Sequence, residues 1–600
     1  MAQLTEPMFS INGNLIKQFT SFSLNQCISD HHYFSLVVPA TSIDGTGGLF
    51  TSSQDMIGST FGARISGLGL GGNVLFNGII TSVETSRFAG HHGDVIIMGY
   101  SPTIVLDSGP HCKSWEKKTI KSISEDVLKF FPQNLLEAKV QPLYSEELGY
   151  TVQYRESAWK FLQRITGSYG EWLFWDGRNL VVGPPQTNTK VALVYGSTLS
   201  RFNVTLQARP TAMQYISWDY QNSQVYTSQP QGVEQKAGLN PWGEKVFQRA
   251  RSVYGTQPKQ WNYRHANNKK QQDDLATMRS AVESSKMVRF TGQSGHPGIV
   301  LGGTIEVSGN NVYSAGTEGY GEYLVTAVNH HVDAMGNYEN DFTAIPASIN
   351  VPPVTIPDDP VCETQSAIVT NNHDPQGLGR VQVKMHWMNG AEKTPWIRVT
   401  TPHAGGGKGH FFIPEIGEEV VVGFEGDSAT KPYVIGAVYH QQADNNFSNA
   451  GNDVKAIQTR CGTKIIMNDA EGSVFVEDPS GNTWFMDGKG NIKVNAPNDM
   501  EIAVGKNFNI TVGENMTTSI GKNEQLSVGN DKNVTISKNY TQFSENKNVT
   551  VSKNKTEHTG DTYHHVAGTS DIQTSKGDLK LRGSGLAVFQ GGKDVKISKG

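Results

Sequence analysis

Residues 504–568 read VGKNFNITVGENMTTSIGKNEQLSVGNDKNVTISKNYTQFSENKNVTVSKNKTEHTGDTYHHVAG and repeat a unit of eight residues. A Gly or Ser marks each unit, with one step of seven, at Gly505, Gly513, Gly521, Gly529, Ser537, Ser544, Ser552, Gly560 and Gly568. Within a unit the apolar residues alternate, as at Phe508, Ile510 and Val512, which is typical of a short strand with one buried face. The repeat therefore predicts strand, bend and strand, with a corner at each Gly or Ser.

A single chain cannot stabilise this repeat. Each octad buries two apolar side chains worth roughly 2–3 kcal/mol each, whereas ordering its eight residues costs about 1 kcal/mol or more apiece. Eight residues are also too few for one coil to enclose its own core. Three chains wound about one axis would enclose a core of Val and Ile, so we predict an intertwined, triple-stranded β-helix over residues 500–600.

Length, composition and charge indicate the number of domains, the fold class and the kinds of partner. The 600 residues suggest about four domains on length alone, and 37% hydrophobic residues with 64 Gly indicate a Gly-rich, mainly β protein. The 51 basic and 56 acidic residues give a net charge of −5 without a Lys/Arg block. This pattern argues against nucleic acid as a partner and against an anionic membrane patch.

Cysteine usage and the N-terminus bear on the compartment. Cys27, Cys112, Cys362 and Cys461 are far apart and form no CxxC pair, so we expect free thiols in a reducing cytoplasm and no zinc site. The first residues lack the basic and apolar regions of a signal peptide, and there is no run of about 18 apolar residues. If the protein leaves its cell, a secretion machine is expected to carry it.

Residues 1–350 are rich in predicted strands, such as FSLVVPA, VLFNGIITSV and DVIIMGY. Three segments predict helices: KSISEDVLKFF, ESAWKFLQRITGSYG and QQDDLATMRSAVESSKMV. In KSISEDVLKFF, Ser122 or Ser124 is expected to cap the helix and Pro132 to end it. In ESAWKFLQRITGSYG, Trp159, Leu162 and Ile165 lie on one face of the helix. Residues 351–365, which include VPPVTIPDDP, are predicted to be a linker.

Residues 366–445 predict a small barrel. Five short strands are expected in GRVQVKMHW, WIRVTTP, HFFIP, EEVVVGF and YVIGAVY, and an OB-fold accommodates them most economically. Residues 446–499 then form hairpin-like units that lead to the octads.

Several motifs are weak candidates for chemistry. GLGLGG at Gly67–Gly72 has dinucleotide-loop spacing, but a strand pattern follows it where a helix is required. Adjacent histidines at 31/32, 91/92, 330/331 and 564/565 would point to opposite faces of a strand, which disfavours a shared metal ion. In a trimer, however, positions 564 and 565 would bring three copies of one histidine to the axis.

Four acidic residues suggest a glycosidase pair: Asp469, Glu471, Glu477 and Asp478. They lie in NDAEG and EDPSG, which are turn sequences, so turn chemistry is the preferred interpretation. We therefore predict no catalytic, cofactor-binding or metal-binding residues.

Two further blocks carry a family resemblance. QYRESAWKFLQRITGSYGEWLFWDGRNLVVG resembles the hub motif of the VgrG family, the Val-Gly-repeat spikes of type VI secretion, which are related to contractile-phage hub and cell-puncturing spike proteins. GRVQVKMHW with PWIRVTTPHAGGGKGHFFIPEIGEEVVVGFEGDSATKPYVIGAVY is similar to the OB domain of that family. Many relatives have a basic residue where this chain has Glu415. We also expect no lysozyme insert between the barrel and the needle, and no catalytic module after residue 600.

The resemblance implies a mechanism. Residues 1–350 would form a hub of β-barrels with inserted helices, and three hubs would seat on the hexameric Hcp tube. The needle would carry a PAAR-type cap, contact baseplate and effector proteins, and puncture the target membrane when the sheath contracts. The protein would be non-enzymatic, cytoplasmic before firing and then secreted.

Two alternatives stay open. One is the corresponding spike of a phage tail or an extracellular contractile particle. The other is a secreted polysaccharide-degrading β-helix enzyme, which would need longer coils and a cleft with paired carboxylates.

Overall fold

The computed structural model describes residues 3–43, 49–69, 71–88, 91–186, 189–262, 266, 268–311 and 316–598. The chain divides into two compact units, Met1–Asn495 and Ala496–Gly600. The fold is mainly β, as predicted.

Residues 1–350 contain strands of alternating burial. They are β1 Gln3–Ile11, β2 Asn14–Ile16, β3 Ser21–Cys27, β4 Tyr33–Pro39, β5 Thr60–Gly67, β6 Asn73–Phe88, β7 His91–Tyr100, β8 His111–Lys118, β9 Ala138–Val140, β10 Leu148–Glu156, β11 Leu173–Trp175, β12 Leu180–Val182, β13 Lys190–Val194, β14 Leu199–Leu206, β15 Gln214–Asp219, β16 Gln224–Ser228, β17 Lys259–Trp261, β18 Val288–Ser294, β19 Thr304–Asn310, β20 Thr317–Asp333 and β21 Asn337–Pro346.

The long hairpin of β20 and β21 is shared by two barrels. On one side, hydrogen-bonded pairs run β20–β3–β4–β7–β6–β5–β1–β21, and β21 pairs back with β20. On the other side, β18 and β14 follow β21, while β19 and β13 follow β20. A bridge between Tyr195 and Leu199 links the ends of β13 and β14. The predicted hub of β-barrels is confirmed.

Aromatic side chains fill the first barrel. Phe34 and Phe61 stack at 4.0 Å between ring centroids, and Phe9 and Phe22 pack beside them. Gly99 lies against this cluster, where a Cβ atom would be 2.0 Å from the carbonyl oxygen of Ile79. Only glycine fits there, because the neighbouring strand approaches too closely for a side chain.

Helices connect the strands of the hub. They are α1 Leu49–Met56, α2 Ile120–Leu128, α3 Ala158–Ser168, α4 Val233–Ala237, α5 Pro241–Val253 and α6 Lys269–Ser285, with 3-10 turns at Ala40–Ser42 and Pro102–Asp107. The three predicted helices are confirmed as α2, α3 and α6, and α3 buries Trp159, Leu162 and Ile165. Among the described residues, no helix is long and apolar enough to cross a bilayer.

The predicted cap of α2 was wrong. Thr119 is the N-cap, and its side chain accepts a hydrogen bond from the backbone N–H of Ser122, so Ser122 already lies inside the helix. Helices α1, α4 and α5 were not predicted. The start of α5 carried a recognisable signal, since Asn240 accepts a hydrogen bond from the N–H of Gly243 and Pro241 occupies the first helical position.

The next segment forms a small barrel. Its elements are β22 Gln365–Asn371, β23 Gln382–Met385, β24 Ala404–Gly405, β25 Lys408–Gly409, β26 Glu419–Phe424, β27 Pro432–Ala437 and a 3-10 turn at Glu425–Asp427. The main sheet runs β23–β22–β26–β27. WIRVTTP joins both edges through bridges from Ile397 to Val381 and from Val399 to Val434.

Two strand predictions in this barrel need correction. HFFIP is not a strand, and Phe411 and Phe412 project into solvent beyond the short hairpin of β24 and β25. The strand β22 was missed, because its sequence QSAIVTN is mostly polar and only Ala367 and Val369 are buried. The linker prediction is also incomplete, since Val351 and Val354 of the irregular segment are buried against the hub.

Five antiparallel strands end the first unit, and they confirm the predicted hairpins. They are β28 Val454–Gln458, β29 Lys464–Asn468, β30 Ser473–Glu477, β31 Thr483–Met486 and β32 Ile492–Asn495, which pair in sequence order.

The second unit behaves differently. Bends recur along it, at Gly505, Gly513, Gly521, Ser537 and Ser552 among others, so the predicted corners are present. Within residues 496–598 no strand ladder forms inside the chain, and every residue from 497 to 598 is exposed. The strands predicted between the corners therefore have no partner within one chain.

Candidate assembly surface

The sheet of β28–β32 presents an apolar face. Cross-strand register places one row of side chains side by side: Ile457, Ile465, Val476, Trp484 and Val494. A second row on the same face contains Lys455, Met467, Val474, Met486 and Ile492. Nine of these ten positions are apolar, and eight of those nine are large hydrophobic side chains exposed in the single chain. An apolar surface of this extent is typical of a protein–protein interface.

The octad unit carries a second apolar surface. The residue just before a corner is 45–48% exposed at six regular positions: Val504, Val512, Ile520, Val528, Ile536 and Val551. The residue three before a corner is 56–64% exposed where it is apolar: Ile502, Ile510, Leu526, Val534 and Val549. These two stripes share one parity along the strand, so they lie on one face.

The single step of seven residues disturbs this surface. Phe543 precedes the corner at Ser544 and is 93% exposed, twice the value at the regular positions. Near the end of the repeat the same positions become polar, with Glu557 and Thr559 before the corner at Gly560. The apolar surface therefore spans residues 502–551 and is irregular at Phe543.

Exposed Val and Ile side chains and unpaired strand backbone are both unfavourable in water. Packing the octads against identical octads of other chains removes both costs together. The chemistry of this surface is thus self-association, and its period of eight fixes the register between the chains.

The hub motif connects the hub to the small barrel. The Tyr154 hydroxyl donates to Glu363 Oε2 at 2.9 Å, and Arg155 Nη1 donates to Glu363 Oε1 at 2.6 Å. Strand β10 also buries Tyr150 and Val152 in the core of the barrel. The segment that leads into the small barrel is therefore held to the hub through Glu363, and the barrel core is held to the hub through β10.

A buried ion-pair network holds the preceding segment. Arg164 Nη2 lies 2.5 Å from Glu156 Oε1 and donates to the carbonyl oxygen of Val152, while Nη1 donates to Asp359 Oδ1 at 3.1 Å. The Arg164 and Glu156 side chains are 6% and 2% exposed. The adjacent carboxylates keep the pKa of Arg164 above its usual value despite burial. The network ties α3 to residues 351–360.

The small barrel has its own buried pair. Arg380 donates to both carboxylate oxygens of Asp374, at 2.9 Å and 2.7 Å. These hydrogen bonds hold the pKa of Asp374 well below its ordinary value. Glu415 forms an exposed ion pair with Arg460 in the β28–β29 turn.

The other candidate motifs in the sequence, namely GLGLGG, the histidine pairs and the cysteines, do not come together in one site within the residues that the structure describes. The GLGLGG segment, of which Leu70 lies outside the described residues, links β5 to strand β6, as its interpretation required. His32 and His330 are buried, whereas His331, His564 and His565 are exposed; the side chains of His91 and His92 lie outside the described residues. The structure shows no cluster of three or more potential metal ligands in the described part of the chain. All four cysteines are free.

The four acidic residues do not form a cleft. Asp469 pairs with Lys455, and Glu471 accepts from the Ser473 hydroxyl. Asp478 accepts hydrogen bonds from the Ser480 hydroxyl and the Asn482 side-chain amide, and these bonds lower its pKa to about 2. The turn interpretation was wrong for Glu477, which ends strand β30 and pairs with Lys464.

Comparisons with known proteins agree with this architecture. Family models match in succession: the phage tail baseplate hub (GPD) over residues 50–336, the type VI secretion system/phage-baseplate injector OB domain over 365–439, and the bacteriophage T4 gp5 C-terminal trimerisation domain over 475–574.

Among curated relatives, the type VI secretion system spike protein VgrG4b of Pseudomonas aeruginosa is 31% identical over 189 residues, 29% of this chain and 22% of that protein. VgrG5 of the same organism is 34% identical over 122 residues, 18% of this chain and 15% of that protein. The matched part thus spans less than a quarter of the length of these relatives.

Among solved structures, a chain of the half-lidded Francisella PdpA–VgrG complex aligns with a TM-score of 0.53 at 7% identity, covering 82% of this chain and 88% of that chain. This likeness is one of fold. The order of hub, injector barrel and trimerisation repeat, together with the spike-protein relatives, shows that the chain belongs to the VgrG family of spike proteins, which is related to contractile-phage hub and spike proteins.

Proposed function

We propose that three copies of this chain form the spike at the tip of a type VI secretion apparatus. Residues 1–350 form the hub, 351–365 the connecting segment, 366–445 the OB barrel, 446–499 the transition strands and 500–600 the needle and its tip. The needle punctures the target envelope without enzymatic activity and carries effectors.

The single observation that carries this proposal is the apolar surface that recurs along the octads between residues 502 and 551. Val512 and its equivalents are half exposed in one chain although their sequence is that of a buried strand face. The match of residues 475–574 to a trimerisation domain supports three as the number of chains. A closed prism of three chains leaves no free strand edge, which suits a rigid penetrating fibre.

The hub supplies the proposed docking surface. Two barrels joined by one β20–β21 hairpin give each chain two lobes. Three chains would therefore present six lobes, which suits docking on the hexameric Hcp tube. Baseplate proteins and a PAAR-type tip protein complete the proposed set of partners. The spike is located in the cytoplasm before firing, and contraction of the sheath drives it out of the cell.

Replacement of the chromosomal gene tests the proposal. Val512→Asp places a carboxylate on the proposed inner face, whereas Thr511→Asp places the same charge on the neighbouring outward position. We expect Val512→Asp to abolish release of Hcp into the medium and Thr511→Asp to leave it intact. Normal Hcp release by Val512→Asp cells would contradict the proposal.

A phage-like particle is the second candidate, because two of the matching family models describe phage proteins. Proteins that co-purify with the intact assembly separate the two functions. Hcp and secretion-system components support the spike of type VI secretion, whereas tail-tube and head proteins support a phage or phage-like particle.

A further inference from the structure

A cavity of about 240 Å³ opens on the hub between the end of α3, α4 and α6. Tyr144, Met278 and Val351 supply its apolar walls, and Gln235 and Lys236 lie at its mouth. Glu171 also lines the cavity, although this residue is only 2% exposed. Gly170 and Glu171 lie within the hub motif, but the proposed function makes no use of this cavity.

The Glu171 carboxylate is incompletely satisfied, although the backbone N–H groups of Tyr144 and Leu143 both face it. Its Oε1 accepts a hydrogen bond from the backbone N–H of Tyr144 at 2.6 Å. Its Oε2 is buried and has no hydrogen-bond partner in the described structure. A buried carboxylate oxygen without a donor is costly, so a ligand that supplies a donor gains free energy here.

Local structure holds the carboxylate in place. Helix α3 ends at Ser168, and Gly170 adopts φ +70°, where a Cβ would lie 3.0 Å from the Met278 sulfur. The backbone N–H of Glu171 then donates to the carbonyl oxygen of Thr166 at 2.9 Å, and Trp172 is anchored through its indole N–H to the carbonyl oxygen of Asn350. Glu171 therefore follows directly after a rigid helix end. Gly170 has the left-handed backbone conformation there, and any other residue would be strained at this position.

We propose that this cavity binds a protonated amine or a guanidinium group carried on an aliphatic stem. The stem would pack against Tyr144, Met278 and Val351, and the cationic head would donate to Glu171 Oε2. A charge-assisted hydrogen bond of this kind is about twice as strong as a neutral one. The ligand is either a free alkylamine or the end of a Lys or Arg side chain presented by a partner protein. The site does not depend on the proposed spike function.

Ionisation of Glu171 should control binding. Burial raises the pKa of this carboxyl above its ordinary value, while the backbone N–H groups and Lys236 lower it by less. Lys236 on α4 and Tyr144 on the facing loop are the titratable groups that line the cavity with Glu171; α6 and the 350–351 segment contribute Met278, Asn350 and Val351, which do not titrate. Cation affinity should therefore increase as the pH rises through the pKa of Glu171.

Calorimetric titration of the full chain tests this inference with four probes: n-butylammonium, n-butylguanidinium, Nα-acetyl-lysine amide and neutral butan-1-ol. At pH 8 we expect at least one cation to bind at least tenfold more tightly than butan-1-ol. Tighter binding of the simple alkyl cations identifies a free amine as the natural ligand, and tighter binding of the lysine amide identifies a protein side chain.

Three variants complete the experiment. Glu171→Gln keeps the shape and should weaken cation binding at least tenfold, whereas the exposed Glu137→Gln should leave it unchanged. Lys236→Gln removes a like charge from the mouth and should strengthen binding several-fold. Equal binding of butan-1-ol and the cations, unchanged binding by Glu171→Gln, or no binding of any cation at millimolar concentration would each overturn the inference.

Discussion

The hub and the octad unit are both built from short β-forming segments, but they bury their apolar side chains differently. In the hub, strands distant in sequence pair into two barrels that share β20 and β21, and Phe34 and Phe61 stack inside one chain. In residues 497–598 the same alternation of apolar and polar residues leaves every residue exposed. The hub contains its own core, whereas the octads contain one third of a shared core.

Strand length and connection explain the difference. The hub strands reach 17 residues in β20, so a strand can curve around an interior and meet several partners. Short strands do pair within the chain in β28–β32, where each turn reverses the chain direction. The octad corners are bends that form no hairpin, so the strand after a corner does not pair with the strand before it. Sequence alternation therefore specifies a buried face, and the kind of corner decides whether that face is covered by the same chain or by its copies.

The largest predicted effect tests the shared core. Val512→Asp would place three carboxylates near a dry axis, and burying an unpaired charge costs several kcal/mol per chain. We expect the band of the trimer in sodium dodecyl sulfate to be lost below the temperature at which the parent melts. Thr511→Asp, on the opposite face, should melt like the parent, and a parent-like Val512→Asp would place this residue outside the core.

The second prediction concerns the hub core. Arg164→Met leaves Glu156 buried without its partner, which should destabilise the hub by about 3–5 kcal/mol in urea unfolding. Arg155→Met removes an ion pair to Glu363 whose side chains are 65% and 55% exposed, so its cost should be about 1 kcal/mol or less. Similar losses in the two variants would show that burial does not distinguish the pairs. Neither variant should change the sodium dodecyl sulfate resistance of the needle.

Acid should destabilise the hub selectively. Burial lowers the pKa of His32 and of His330 to about 3, so both are neutral in the folded hub and take up a proton on unfolding. Their contribution is complete above the unfolded pKa of about 6.5 and is lost as the pH falls towards 3, at about 1.4 kcal/mol per pH unit for each histidine.

The measurement is urea unfolding of the hub from pH 7 to pH 5. His330 is held by the Tyr338 hydroxyl at 2.6 Å and by Gln26 at 3.1 Å. His330→Gln should make the free energy of unfolding depend less on pH. The same exchange at the exposed neighbour, His331→Gln, should leave the pH dependence unchanged. An unchanged slope in His330→Gln would assign the acid sensitivity to other groups.

The smallest effect concerns the corners. Gly513→Ser should change trimer stability by less than about 0.5 kcal/mol, because Ser already occupies the equivalent positions 537, 544 and 552 and no atom of the chain lies within 4 Å of the added Cβ. Thermal melting of the trimer measures this change. A loss above about 2 kcal/mol would mean that a partner chain packs directly against this corner.

Local patterns predicted the parts of the fold that depend on local chemistry. The octad corners, α3 with its buried Trp159 face and the hairpins β28–β32 follow from spacing and turn residues. Strand β22 was missed because its sequence is mostly polar and packing in the barrel decides its burial. The cap was misplaced because Thr119, Ser122 and Ser124 are all residue types that can cap a helix. HFFIP has the composition of a strand, but Gly409 adopts φ +128° next to it and leads the chain into an exposed loop.

The functional surfaces likewise fall into those that the sequence predicts and those that only the folded chain reveals. The spacing of the repeat is enough to place Val512 on an apolar face. The network of Arg164, Glu156 and Asp359 joins residues 203 positions apart at its extremes, 156 and 359, so only the folded chain reveals it. The Glu171 cavity was likewise not predicted, although an acid placed directly before the apolar run WLFW is an unusual neighbour that sequence inspection could have marked.

Sedimentation equilibrium of the purified full chain tests the central claim most directly. The shared-core account predicts one species of three times the 65.5 kDa of a single chain, resistant to dilution and with β structure in residues 496–600. A stable monomer in which the octad segment keeps ordered β structure would contradict it.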